Sequence, residues 1–322
     1  MRFAVIGAGG MGGALGGRLA ANGEDVAFVV RGRQLAALRR DGLTVRYGDD
    51  ELRLPRPVAS DDPAQVGAVD AVLLCVKMYD LAEAVRAMAP LLGDGTRVLT
   101  LQNGIEAPRI AAEAVGADRV LAGVAWFAGR ILAPGVVEIA GGMRGRPWVE
   151  LGGMRDGDGG RGAALARRLD AAGISCRVVA DVDTLLWQKF CLISATSSAA
   201  ALTRLPIGAV RRDPDSRWLI EQAVQETVAV ARAHGVALAG DVAEQVIALI
   251  DSMPAAARPS QLSDLEAGKP LELDWLSGAV CRLGAQAGIA TPYHRTVCAA
   301  LKPYAGGEII ARPGSPVTLL LI

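Results

Sequence analysis

The first residues able to do chemistry are Gly7-Ala8-Gly9-Gly10-Met11-Gly12, which follow an apolar run from Arg2 to Ile6 and open a stretch of helical periodicity. Among 39 glycines a GxGxxG spacing means little by itself, and the strand before it and the helix after it give it content. In that setting Gly7 permits a tight turn, Gly9 lets backbone approach a pyrophosphate, and Gly12 lets helix and strand pack closely. The free N–H groups at the helix start then face the phosphates. An NAD site usually places an acid at the end of the second strand, for the ribose 2′-hydroxyl. Here that position reads Val29-Val30-Arg31-Gly32-Arg33, with no carboxylate. A guanidinium can hold a 2′-phosphate bidentately, so the residues point to NADPH. Arg31 is the stronger candidate, and Arg33 is expected to be a solvated surface arginine. Lys77 follows the apolar strand ending at Val76, and Asn103 follows the strand ending at Leu101. Both fall at carboxyl ends of strands, where α/β sheets bind ligands.

The elements that position these residues alternate. Apolar runs at Arg2 to Ile6, Asp25 to Val30, Ala68 to Val76 and Arg97 to Leu101 are predicted strands. Helices are predicted near Gly12 to Asn22, Gln34 to Arg40, Leu81 to Leu92 and Glu106 to Val115. Leu43 to Val45 and Glu51 to Leu54 suggest a hairpin inserted at the sheet edge. This alternation predicts a Rossmann-type, doubly wound parallel sheet covered on both faces. From Val120 to Leu151, Pro134-Gly135 and Gly141-Gly142 punctuate short apolar runs, which predicts added strands, partly antiparallel. Asp156 to Gly160 is expected to be a flexible loop. A helix from Ala163 to Ala172 and a strand from Ser175 to Val179 close the domain. After Asp181, apolar spacings of three and four predict an all-helical domain, with segments near 184–203, 215–234, 241–251, 261–267, 271–287 and 292–302. The organisation expected is residues 1–181 as the NADP-binding α/β domain and 182–322 as the helical substrate domain. The apolar tail after Gly306 is expected to pack as a chain end, with a homodimer contact as the alternative.

Composition excludes some partners. Thirty-four Lys plus Arg balance 34 Asp plus Glu, so no basic excess marks a nucleic-acid or anionic-membrane surface. A small-molecule substrate fits this neutrality. No apolar stretch is long enough to span a bilayer, and the opening residues read as a strand rather than as a secretory leader, so none is expected. The five cysteines form no CxxC pair, as expected of reduced thiols in a cytoplasmic protein. Neither the cysteines nor the two histidines are spaced for a metal. His234, before Gly235, is expected to cap a helix end. His294, after Thr291-Pro292, is expected to serve local structure.

Several motifs in order make the chain resemble the ketopantoate reductase family, from Met1 to about Leu301. They are GAGGMG, VVRGR, CVKMYD, LQNGIE, PGVVEIAGG, WQKF and SQLSDLEAGKPLELDWLSGAV. The resemblance implies that Lys189, in WQKF, is the catalytic lysine and that Glu272 is the acid orienting lysine and substrate. It implies further that Ser260 binds the substrate carboxylate, that Asn103 lies near nicotinamide and substrate, and that Lys77 is on the cofactor side. The implied reaction is NADPH-dependent reduction of a 2-oxo acid to a 2-hydroxy acid. A lysine ammonium suits it, because it can stabilise a developing alkoxide and give it a proton. Without the resemblance, Lys189 reads as a helix lysine extending to solvent and Glu272 as a solvated acid near a helix start.

Two positions depart from the family pattern. The asparagine often found four residues after the lysine is Ile193 here, and one found three residues before the serine is Ala257. Both changes imply a more apolar pocket. One alternative is therefore a family paralogue reducing a more apolar ketone. A 3-hydroxyacid-type dehydrogenase has a similar two-domain plan, but Ile193 argues against it too, and a non-catalytic NADPH-sensing protein that binds a partner would need a disabled Lys189 or Glu272, both of which are present.

Overall fold

The computed structural model describes residues 1–141, 147–154 and 160–308. Most of the loop expected at Asp156 to Gly160, and the apolar tail beyond Glu308, lie outside the described residues. Contacts divide the chain into two compact units, Met1–Leu186 and Trp187–Ile322.

In the first unit the elements are β1 (Arg2–Ile6), α1 (Gly10–Ala21), β2 (Asp25–Val29), α2 (Gly32–Asp41), β3 (Leu43–Tyr47), β4 (Asp50–Leu54), β5 (Val58–Ser60), β6 (Val69–Leu74), α3 (Met78–Ala87), β7 (Leu92–Thr100), α4 (Ala107–Val115), β8 (Val120–Ala125), β9 (Ala128–Ala133), β10 (Val136–Ala140), β11 (Trp148–Gly153), α5 (Arg161–Ala171) and β12 (Ser175–Val178). Eight strands form one sheet in the order β12-β11-β8-β7-β6-β1-β2-β5. From β5 across to β8 all pairs are parallel, β11 runs antiparallel to β8, and β12 is parallel to β11. The central strands are buried along nearly their whole length, Phe3 to Ile6 and Ala71 to Leu74 among them, as a sheet covered on both faces requires. The chain leaves β1 toward β2 and β5, then crosses to β6 and continues to β7 and β8. The order therefore reverses between β1 and β6, the switch point at which such sheets leave a crevice.

The hairpin departs from expectation. β3 and β4 do not extend the main sheet. They join β9 and β10 in a second, four-stranded sheet ordered β4-β3-β10-β9. The reason lies in α1, whose glycines fall on two faces. A Cβ at Gly12 or Gly16 would strike Val5, Cys75 or Phe28 of the main-sheet side. A Cβ at Gly10, Gly13 or Gly17 would strike Gly129, Val137 or Val45 of the second sheet. Spacings of four on one face and of three and four on the other let two sheets close on one helix.

The helices α6 (Val182–Thr203), α7 (Ile207–Arg212), α8 (Pro214–Ala233), α9 (Val242–Ser252), α10 (Ser260–Glu266), α11 (Ser277–Ala287) and α12 (Pro292–Leu301) follow. The unit boundary falls inside α6. Two differences from the sequence pattern appear. α7 is an extra short helix between Pro206 and Pro214, and Arg211 ties it down by donating to the carbonyls of Ile250 and Met253, each at 2.7 Å. The helix expected from 271 onward starts only at Ser277, after a 3₁₀ turn at Leu273–Trp275. Leu271, Glu272 and Leu273 are all buried, and three consecutive residues cannot share one helix face.

Candidate active site

The glycine turn is built as a phosphate cradle would be. Gly7 has φ +92°, a backbone that side chains disfavour, and its N–H donates to Val29 O at 2.9 Å. A Cβ at Gly12 would stand 2.0 Å from Gly7 O, so no side chain fits between strand and helix there. At Gly9, by contrast, a Cβ would meet nothing within 4 Å. Gly9 is the extended N-cap of α1 and makes no side-chain cap bond, so the first-turn N–H groups keep their donor capacity. Open space above uncapped donors fits a pyrophosphate on a helix N-terminus.

Register brings the other cofactor-side candidates of this unit to the same sheet edge. Ile6 pairs with Val29 and Leu74, and Leu74 pairs with Thr100, so β1, β2, β6 and β7 end on one row. Arg31, Lys77 and Asn103 follow directly. Arg31 is the exposed N-cap of α2 and is held by Asp80 at 2.9 Å and Glu83 at 3.0 Å. Arg33 is exposed, as expected. Lys77 is the half-buried N-cap of α3, and Asn103 is half-buried before the positive-φ Gly104. Two residues not singled out from sequence hold this edge. The Gln102 amide donates to Leu74 O at 3.0 Å and Val76 O at 3.2 Å, while its oxygen accepts from Leu101 N at 3.1 Å. The Gln34 amide donates to Ala8 O at 2.8 Å and its oxygen accepts from Gly135 N at 3.0 Å, tying the glycine turn to the second sheet. Gln102 adjoins Asn103 in sequence, which is the one signal that pointed to it. Gln34 gave none.

In the helical unit, Lys189 is half-buried on α6, and loss of surrounding water lowers its ammonium from the ordinary lysine range to about 8. Ile193, one turn further on, is also half-buried. Glu272 is buried, only 7% exposed, in the turn leading into Leu273–Trp275 rather than on a solvated helix. Its backbone carbonyl accepts from Trp275 N and Leu276 N, each at 3.1 Å, and Leu271 N donates to Ala305 O at 3.0 Å, so the turn is fixed on both sides. Ser260 opens α10 and is exposed. Ala257 sits in the preceding turn, where its carbonyl accepts from Ile207 N at 3.0 Å. Beside Ser260, Gln261 is 2% exposed and neither of its amide atoms has a hydrogen-bond partner, an arrangement that ordinarily costs about 1–3 kcal/mol.

The two histidines have structural settings. His234 is the C-cap of α8, where its ring shares a hydrogen bond with Leu283 O at 2.9 Å and stacks on Trp187. His294 reaches beyond its own helix. Its Nδ1 meets Ser277 Oγ of α11 at 3.1 Å and its Nε2 meets Thr227 Oγ1 of α8 at 3.1 Å. Burial pushes it down to about 4, so the neutral ring is a fixed crosslink. Among the described residues no group of three His, Cys, Asp or Glu could hold a metal ion, and no helix is long and apolar enough to cross a membrane.

A doubly wound sheet with an open glycine turn at its switch point, followed by a helical unit, is the plan of a dinucleotide-binding protein. Comparison with known proteins narrows it. The family model described as Ketopantoate reductase PanE/ApbA matches residues 3–152, and its C-terminal counterpart matches residues 181–305. A 2-dehydropantoate 2-reductase of Halobacterium salinarum is 35% identical over 300 residues, covering 92% of this chain and 96% of that one. The crystal structure of 2-dehydropantoate 2-reductase from Geobacter metallireducens GS-15 superposes with a TM-score of 0.87 at 30% identity, over 94% of this chain and 99% of that one. D-Mandelate dehydrogenase, solved with NADH and anilino(oxo)acetate, shares the fold, with a TM-score of 0.85 at 23% identity over 95% and 98%. The chain belongs to the ketopantoate reductase family and is a ketopantoate-reductase-like oxidoreductase.

Proposed function

We propose that this protein reduces a 2-oxo acid to a 2-hydroxy acid with NADPH, and that Lys189 donates the proton. The observation that carries the reading is Lys189 itself, an ammonium held partly out of water in the WQKF segment of a ketopantoate reductase family member. Bound NADPH supplies a hydride to the carbonyl carbon. The residues proposed to hold it are Gly7, Gly9 and Gly12, through backbone approach and the α1 donors, with Lys77 and Asn103 along the same strand ends. Arg31 is proposed to take the 2′-phosphate by exchanging its Asp80 and Glu83 partners for it.

The chemistry proposed for the helical unit follows from charge. As the carbonyl oxygen becomes an alkoxide, the Lys189 ammonium stabilises the negative charge and then gives up a proton. A donor lowered to about 8 is still mostly charged at neutral pH, yet gives up its proton more readily than an ordinary lysine. The buried Glu272 is proposed to orient the lysine and a substrate hydroxyl, and Ser260 to bind the carboxylate.

Ile193 and Ala257 support a substrate whose side chain is larger or more apolar than that of ketopantoate. A site built to hydrogen-bond a substrate group discriminates strongly for it, and aliphatic side chains at these positions cannot. The deciding experiment compares kcat/KM for NADPH oxidation with ketopantoate and with longer and aromatic 2-oxo acids, before and after Ile193→Asn combined with Ala257→Asn. The bulkier acids are expected to be preferred by the unmodified protein, and the double substitution to shift preference toward ketopantoate. Ketopantoate as the best substrate of the unmodified protein would refute the apolar-pocket reading. No reduction of any 2-oxo acid would refute the activity.

A further inference from the structure

Two thiols outside the proposed chemistry face each other. α11 and α12 are neighbours joined by residues 288–291, and the turn is tight: a Cβ at Gly284 would lie 2.8 Å from Thr291 Cγ2 and 2.9 Å from Ile289 O. Cys281 lies one helical turn before Gly284, on the same side of α11. Opposite it, Thr291, Arg295 and Cys298 recur at intervals of four and three, which puts them on one face of α12. The side chains agree, with Cys298 and Thr291 acting directly on the Cys281 thiol and the Arg295 guanidinium nearby. Both cysteines are partly exposed, so a small solute can reach them.

We infer that Cys281 and Cys298 are a redox-active dithiol that a hydroperoxide oxidises reversibly to an interhelical disulfide. Cys281 is the attacking sulfur. Cys298 and Thr291, with Arg295 beside them, hold its thiol below the ordinary cysteine range, which favours the thiolate. Glu226 and Asp274 are the nearby acids that oppose ionisation of the pair. The Cys281 thiolate attacks one peroxide oxygen, the O–O bond breaks, and the departing hydroxide takes a proton to leave as water. Cys281 is then a sulfenic acid. The Cys298 sulfur attacks it, the S–O bond breaks, a second water leaves carrying the Cys298 proton, and the S–S bond forms. Two thiols lose two electrons and one hydroperoxide gains them. The other three cysteines provide an internal control, since burial pushes Cys75, Cys176 and Cys191 up to about 12. They should stay reduced.

The test treats the fully reduced whole protein with one equivalent of hydrogen peroxide at pH 7, then counts thiols after denaturation. The expected result is a fall from five titratable thiols to three, a loss of two hydrogens in intact mass, and a crosslink that maps to the peptides of Cys281 and Cys298. A dithiol reductant should restore all five. In Cys298→Ser the same treatment should leave a sulfenic acid on Cys281 that dimedone captures, because the second sulfur is gone. Five thiols retained after treatment would overturn the inference. So would a crosslink elsewhere, direct over-oxidation of Cys281 with Cys298 still free, or a Cys298→Ser protein that dimedone does not label.

Discussion

The glycine turn of the sheet unit and Lys189 of the helical unit represent two ways of making a site. The turn works through what is missing. Gly9 has open space where a Cβ would stand, and Gly12 has none, so the same substitution at the two positions differs in its effect on folding. Lys189 works through what is present, a charge held where water is scarce. Backbone sites tolerate little change in residue type, because the function is the absence of atoms. Side-chain sites can be retuned one neighbour at a time, and Ile193 and Ala257 are the positions proposed for such retuning. On the proposed reading, binding of the cofactor and choice of substrate fall on parts of the chain with different freedom to vary.

The largest expected effect tests the backbone side. Gly9→Val should abolish measurable cofactor binding while the melting temperature stays near that of the parent, because the added side chain enters open space. Gly12→Val should lose the folded sheet unit as well, since its Cβ would lie 2.0 Å from Gly7 O. Calorimetric titration beside thermal melts distinguishes the two, and a Gly9→Val protein that still binds the cofactor would remove the turn from the site. Next in size, Lys189→Ala should lower turnover by roughly 10²–10⁴-fold, the usual worth of a general acid, with cofactor affinity nearly unchanged. Equal losses in both quantities would make Lys189 a structural residue. Arg31→Ala should weaken NADPH on the order of 10- to 100-fold, from a charge-assisted bond of about 1.5–3 kcal/mol, and leave NADH affinity almost unmoved. Equal losses for both cofactors would refute the 2′-phosphate role. The smallest effect concerns the acids that hold Arg31. Glu83→Gln should tighten NADPH by no more than about 5-fold, because exposed ion pairs are worth about 0–1 kcal/mol.

The same contrast explains what the sequence made legible. The GxGxxG register, the parallel strands and the carboxyl-end positions of Lys77 and Asn103 follow from periodicity and turn chemistry, which are local. The placement of β3 and β4 is not local. Their alternation predicts a hairpin, but only their pairing with β10, some 90 residues later, puts them in a second sheet. The glycines of α1 carried a hint, since a helix with Gly10, Gly13 and Gly17 on one face needs a close neighbour there. In the helical unit the segment from Leu271 looked helical because its leucines are spaced suitably, and the backbone of Leu276, at φ −105° and ψ −99°, breaks it. Glu272 owes its burial to that break. Lys189 stood out as a candidate only through its segment. A lone lysine in an apolar helix carries no local sign of desolvation, which depends on everything packed around it.

The central claim is that the Lys189 ammonium is the proton donor, and its lowered affinity for the proton makes the claim measurable. A general acid must be protonated to act, so activity is present below its pKa and lost as pH rises through it. The measurement is kcat/KM for the 2-oxo acid against pH, for the parent protein and for Lys189→Arg. The parent should show a falling limb near pH 8. In Lys189→Arg, whatever rate remains should show no such limb up to about pH 10, because a guanidinium stays charged there. A limb near pH 8 that persists unchanged in Lys189→Arg would assign the proton to another group and contradict the account.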